Sequence, residues 1–145
     1  MKFLKLMLLS VLALVLGAAT SFAQNIEGAW FNEEKDAKIE IFKDKNNKYF
    51  GKIVWLKEPN RDGKPKVDFR NPKKDLQTQP IMGLLLLRGF KKKSNDSYTD
   101  GTIYDPKTGK TYDCNITVKD ANTLSIRGYV GISLLGKTTI WTKAN

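Results

Sequence analysis

Apolar side chains recur at every second position along most of this chain, and beyond its first residues no window shows a clean 3.6-residue apolar stripe. A period of two predicts strands with one face in a core and the other in water. The clearest run places Tyr112, Cys114, Ile116 and Val118 on one face and Thr111, Asp113, Asn115 and Thr117 on the other. Leu124, Ile126 and Val130 then continue an inward face opposite Ser125, Arg127 and Tyr129, and a last strand from Lys137 to Lys143 carries Trp141. Upstream, the pattern predicts strands over Ile26 to Phe31, over Ala37 to Lys43 with Ile39 and Ile41 inward, and over Tyr49 to Leu56, where Gly51 marks a bulge or bend. Asp44 to Lys48, Asp105-Pro106-Lys107-Thr108-Gly109 and Asp120 to Thr123 supply the turns between runs.

Two segments depart from the alternation. Residues 57–80 hold four prolines, Gly63 and seven Lys or Arg, which excludes a regular central strand and predicts a long basic excursion. Ile81 to Phe90 is apolar on both faces through Leu84 to Leu87, and fits either a strand buried on both sides or a short helix. Lys91 to Ser97 reads as a solvated turn, after which Asp100-Gly101 opens the next strand through Tyr104. The sum is an all-β domain, a single antiparallel up-and-down β-barrel of about eight strands, enough to enclose one small ligand or to be filled by its own side chains.

The chain's beginning changes where this barrel should be found. Lys2 and Lys5 precede an apolar run from Leu6 to Ala19, about 14 residues long and short of the ~20 that span a bilayer. Ser21-Phe22-Ala23 then places small residues at a cleavage site, so residues 1–23 read as a signal peptide cut before Gln24 and residues 24–145 as the exported domain, periplasmic or secreted. Losing Lys2 and Lys5 leaves 23 cations against 15 acids, a charge of +8. Such a surface suits an anionic envelope partner, while nucleic acid is not expected as a partner for an exported chain.

Residue counts exclude much chemistry. With no histidine and one cysteine, the chain can form neither an internal disulfide nor a Ser-His-Asp triad, a Cys-His pair or a histidine-containing zinc site. Cys114 reads as a small buried hydrophobe with an unreactive thiol. Glu58, Asn60, Asp62 and Asp68 do not match a calcium-loop spacing, and Arg61, Lys64 and Lys66 interleave positive charge among them. No metal, cofactor or catalytic residue is assigned. An enzymatic role would fall to Asp105 or Asp113 with Tyr104 or Tyr112, but Asp105 suits a turn before Pro106 and Asp113 an outward strand position.

Gly28-x-Trp30, Gly51-Lys-Ile-Val-Trp-Leu56, Asp68-x-x-Asn71-Pro72, Gly101-Thr-Ile-Tyr-Asp-Pro106, Gly109-Lys-Thr-Tyr112, and Gly128-Tyr-Val-Gly131 through Leu135-Gly-Lys-Thr to Trp141-Thr together resemble the bacterial exported family called domain of unknown function 2147. That family is grouped with lipocalin-like, or calycin, barrels. The resemblance implies that Trp30 plugs one barrel end and that a basic residue of the last strand stacks on it. Lys143 stands where family members usually carry Arg, and Lys73 where they often carry Asp. The family has no established activity, so the resemblance implies fold and export rather than catalysis.

These readings predict a binding module for an apolar or amphipathic small molecule, with Trp30, Trp55, Tyr104, Tyr112, Arg127 and Trp141 as candidate ligand contacts. For each ring, core packing is the competing role. Arg127 faces outward in the register above, whereas a one-residue slip would turn it inward as an anion anchor. The other reading is an interaction protein that docks the excursion at 57–80 and the Lys91–Lys93 turn on an acidic partner or anionic membrane surface.

Overall fold

A computed structural model of the chain describes residues 25–145, and the expected signal peptide lies outside them. Eight antiparallel strands close into a barrel: β1 (Gly28–Phe31), β2 (Ala37–Lys43), β3 (Lys48–Leu56), β6 (Leu85–Lys92), β7 (Ser97–Asp105), β8 (Lys110–Asp120), β9 (Thr123–Tyr129) and β10 (Gly136–Lys143). Each pairs with its neighbour in the chain, and β1 returns to β10. Between β3 and β6 the excursion forms a small ribbon, β4 (Asn60–Arg61) against β5 (Lys64–Pro65), and one 3-10 turn at Lys74–Leu76.

The alternation sets the inner wall as expected. Ile39 and Ile41 of β2, Tyr49 and Ile53 of β3, Cys114, Ile116 and Val118 of β8, and Leu124 and Ile126 of β9 are buried. Burial pushes the Cys114 thiol up to about 12, consistent with a packing role. Of the segment Ile81 to Phe90, Ile81 to Leu84 forms a turn and the rest, from Leu85, is a strand and not a helix. Its register against β3 shifts on either side of Gly51, and both Leu86 and Leu87 are buried there.

Several boundaries differ from the sequence reading. Lys91 and Lys92 belong to β6, where they pair with Thr99 and Tyr98, and β7 opens at Ser97 rather than at Asp100. The buried Tyr98 anchors this earlier start, and a bulge with Asp100 at φ 62° restores the inward phase at Gly101. Val130 is not inward. β9 stops at Tyr129, and Val130 begins a loop that turns through Gly131 at φ 79°. Ile26 precedes β1 but is buried, and its carbonyl accepts the Trp30 indole Nε1–H at 2.8 Å.

The barrel closes over a short seam, Trp30 opposite Lys143 and Phe31 opposite Thr142. Lys143 Nζ lies 4.6 Å from the Trp30 ring centroid and donates to the Glu27 carbonyl at 3.2 Å. Gly28 is what lets the ammonium in. Its φ of 121° disfavours a side chain, and a Cβ there would stand 2.7 Å from Lys143 Nζ. Replacing Gly28 by Ala is expected to lower stability by about 1–3 kcal/mol, from backbone strain plus a displaced cation. Urea unfolding checks this: the cost should shrink in a Lys143→Ala background, where no ammonium remains to be displaced.

Candidate functional site

The two ends of the barrel are built differently. Turns at 44–47, 93–96 and 121–122 close one end tightly, while loops at 32–36, 57–84, 106–109 and 130–135 surround the other. Inward residues toward the tight end are large and fully packed: Trp30, Tyr98, Phe90, Ile116 and Leu124 are each under 2% exposed. Tyr49 meets Tyr98 edge-on with ring centroids 4.9 Å apart. Toward the looped end the inner wall is set back, leaving a cavity of about 1020 Å³ open at its mouth.

Ile39, Ile53, Leu86, Ile103 and Ile126 line this cavity, with Trp141 the deepest lining residue on β10. Alternation carries that face of β10 from Trp141 through Thr139 to Lys137, and all three border the cavity. The mouth adds Lys57, Arg61, Lys66, Arg70 and Lys107, along with Glu34, Asp36, Glu58 and Asp105. Asp36 and Lys107 neutralise one another across the rim, Nζ to Oδ2 3.3 Å. Burial alone would raise the Asp36 carboxyl, but hydrogen bonds from Asn32 and Lys107 and the lysine's charge hold it below its usual range.

Of the six candidate contacts, Tyr104, Tyr112 and Trp141 border the cavity, and Trp30, Trp55 and Arg127 do not. Trp30 is the floor plug of the opposite end. Trp55 lies outside because Val54 is an extra residue: β2 pairs Ile39 with Ile53 and Lys38 with Trp55, so the face inverts between them. There it meets Phe31 edge-on at 6.1 Å, beneath Lys38 at 5.2 Å. Arg127 also sits on the outer face. Its Nε donates to the Ser133 carbonyl at 2.6 Å and its Nη1 to Thr138 Oγ1 at 2.9 Å. The register that keeps Arg127 outside places Lys137, opposite Gly128, on the cavity side. Lys137 was legible as a site residue from its spacing to Trp141.

A second group that sequence reasoning missed is centred on Asp68, which is 1% exposed. Oδ1 accepts from the Tyr104 hydroxyl at 2.8 Å, and Oδ2 from Asn71 Nδ2 at 2.9 Å and Gln79 Nε2 at 3.0 Å. Arg70 Nη1 donates to the Lys107 carbonyl at 2.9 Å, and Gly109 makes this approach possible, since a Cβ on it would collide with the Arg70 carbonyl oxygen. These contacts fasten the excursion to the β7–β8 hairpin and make it a wall of the cavity. The signal was the Asp68-x-x-Asn71 spacing, in which both residues join one network rather than a calcium loop. Among the described residues, no three His, Cys, Asp or Glu side chains converge to hold a metal ion. Asp105 accepts from the Lys107 amide and Thr108 hydroxyl of its own turn, and Asp113 is exposed on β8.

Burial, followed by the hydrogen bond to Asp68, pushes the Tyr104 phenol up to about 12, and burial beside Tyr49 does the same for Tyr98. Both lie above the ordinary value of 10, so the fold holds these protons more tightly than the unfolded chain does. Their contribution to stability is therefore full below pH 10 and is lost as pH rises through about 12. An alkaline titration followed by phenolate absorbance should show two of the five tyrosines ionising late, and Tyr104→Phe should remove one of them. The same variant should cost about 1–3 kcal/mol by taking a donor from the buried Asp68.

Residues 28–143 match the model of a bacterial family described as "Uncharacterized protein conserved in bacteria (DUF2147)". Among solved structures, the chain is similar to HP1028 of Helicobacter pylori, described as belonging to the lipocalin family. The TM-score is 0.72 at 23% identity, covering 83% of this chain and 84% of that one. No curated protein matches.

Proposed function

The chain belongs to the DUF2147 family, and we propose that its lipocalin-like barrel binds an amphipathic small molecule with an anionic head. The observation that carries this reading is the one-sided filling of the interior: rings pack the tight end, and an apolar cavity of about 1020 Å³ opens beneath a cationic rim at the other. That volume lies at the top of the range for small-molecule sites, ~300–1,000 Å³. The apolar part of a ligand would lie along Ile39, Ile126 and Trp141, with Lys137 facing its head. Arg61, Lys66 and Arg70 stand at the same mouth. The reading is of a carrier or sensor rather than a catalyst, since Asp36 at the rim is paired with Lys107 and Asp105 serves its own turn.

A dansyl-labelled long-chain carboxylate is the direct probe. Saturable enhancement of its fluorescence, displaced by unlabelled fatty acid, is expected. Lys137→Ala should weaken binding about tenfold, as loss of a charge-assisted contact does, and Ile126→Trp should weaken it by narrowing the cavity. If the neutral amide of the same probe bound equally well, the anionic head would be wrong. If neither probe bound, so would the carrier.

The same proposal places the barrel in the cell envelope, supported by Lys2, Lys5, the apolar run after them and Ser21-Phe22-Ala23. The intact mass of protein recovered from an envelope fraction should correspond to a chain that starts at Gln24. A mass that includes residues 1–23 would refute export with cleavage.

A further inference from the structure

The sequence reading docks the basic excursion and the Lys91–Lys93 turn on an acidic partner or anionic membrane surface. The structure puts them at opposite ends of the barrel. Lys91 pairs with Lys48 beside the tight turns, whereas the excursion leaves β3 at Leu56, nine residues of strand away. One planar surface meets one end or the other, and the distribution of apolar side chains distinguishes them.

Among the described residues, none of the exposed large hydrophobics lies in a turn of the tight end. The looped end is different. Val130, Ile132, Leu134 and Leu135 are 68%, 56%, 84% and 71% exposed on a single six-residue loop between β9 and β10. This loop is a built projection. Its turns close through Ile132 N to the Val130 carbonyl at 3.0 Å and Leu135 N to the Ile132 carbonyl at 3.1 Å. Arg127, wedged behind it, holds the Ser133 carbonyl and ties it to Thr138. Across the same mouth Phe69 is 44% exposed and has two guanidinium groups over its ring, Arg61 at 4.6 Å and Arg70 at 5.2 Å from the centroid. Val130, Leu135 and Phe69 all border the cavity, so both apolar projections belong to its rim.

We propose that the Val130–Leu135 loop and Phe69 insert into the surface of a bilayer containing anionic phospholipid, setting the barrel mouth-down on the membrane. The occupant follows from the chemistry of the rim. Aliphatic side chains on a projecting loop match acyl chains, which require no shaped complement, and cations at the level of Phe69 match lipid phosphates. The excursion carries seven Lys or Arg against Glu58, Asp62, Asp75 and the buried Asp68, so its balance is positive. A protein partner would call for a flatter patch centred on aromatic anchors in pockets. The proposal goes beyond cavity binding and does not need the cavity to hold a ligand.

Sedimentation with vesicles of phosphatidylglycerol and phosphatidylethanolamine, against vesicles of phosphatidylcholine alone, tests it on the purified barrel. Binding is expected to the anionic vesicles only, and to weaken with salt. The double variant Leu134→Glu/Leu135→Glu should reduce it at least about tenfold, given that burying one leucine is worth that much or more. These positions are exposed, so circular dichroism should be unchanged. As a gain of signal, Leu134→Trp should give emission that shifts to the blue and is quenched by brominated acyl chains. No binding, or binding that the glutamates leave intact, would overturn the proposal. So would a concentration-dependent dimer abolished by the same glutamates, which would assign the loop to a second copy of the chain. Ile126→Trp separates the two readings, because it narrows the cavity and should leave vesicle binding unaltered.

Discussion

A sheet of eight strands holds a separate interior only if its first and last strands meet, and in this barrel that seam is the weakest part of the wall. β1 is four residues long and offers β10 two residue pairs, where other neighbouring strands share longer registers. Backbone pairing this short cannot by itself keep an edge closed. The seam is completed by side chains: the Trp30 indole bonds back to Ile26, and Lys143 crosses from β10 to lie on the indole face and cap the Glu27 carbonyl. Gly28 has to be without a side chain for that crossing. The three residues Gly28, Trp30 and Lys143 are thus one device, which explains why their spacing carries a fold. The ammonium makes the same contact that a guanidinium would, with less planar overlap on the ring.

With the seam and floor in place, the interior divides. Between bulges, inward positions follow the same alternation along each strand, but their sizes do not stay the same. β8 runs from Tyr112 at the cavity to Cys114, Ile116 and Val118 in the packed half, and β10 runs from Lys137 at the mouth to Trp141 beneath it. The hollow half is bounded by strands that alone would leave a wide opening. The excursion narrows it, and Asp68 fixes the excursion by accepting from Tyr104, Asn71 and Gln79 together. A buried polar group of this kind is tolerable only when its partners are all present, so the wall forms as a unit.

This division explains what could be read from the sequence. A period of two tells inside from outside, which is why the strands, the barrel and the burial of Cys114 were legible. It does not tell height along the barrel axis, and height decides whether an inward ring packs the floor, as Trp30 does, or borders a cavity, as Tyr112 and Trp141 do. It also fails wherever a strand holds an extra residue. The bulge at Val54 moved Trp55 outside, and the one near Asp100 moved the start of β7. Val130 was misread for a related reason, since alternation has no sign for where a strand stops. Asp68 was opaque because its partners lie 3, 11 and 36 residues away, and only the folded excursion brings them to one point.

The two structures at the mouth also differ in what it would take to move them. Lifting the excursion would break the Tyr104 hydrogen bond to Asp68, the Arg70 contact to Lys107, and the backbone bonds that tie Gly83 and Leu84 to Ile53. It would also expose Ile81 and Leu84, which are buried. Displacing the β9–β10 loop would break one hydrogen bond from Arg127, to the Ser133 carbonyl, and would expose no buried apolar side chain, because its four aliphatics already face solvent. Regions with few buried apolar contacts are those that open at the lowest free-energy cost. Of the two, the β9–β10 loop therefore yields more readily, and it is also the one that carries the most exposed aliphatic residues.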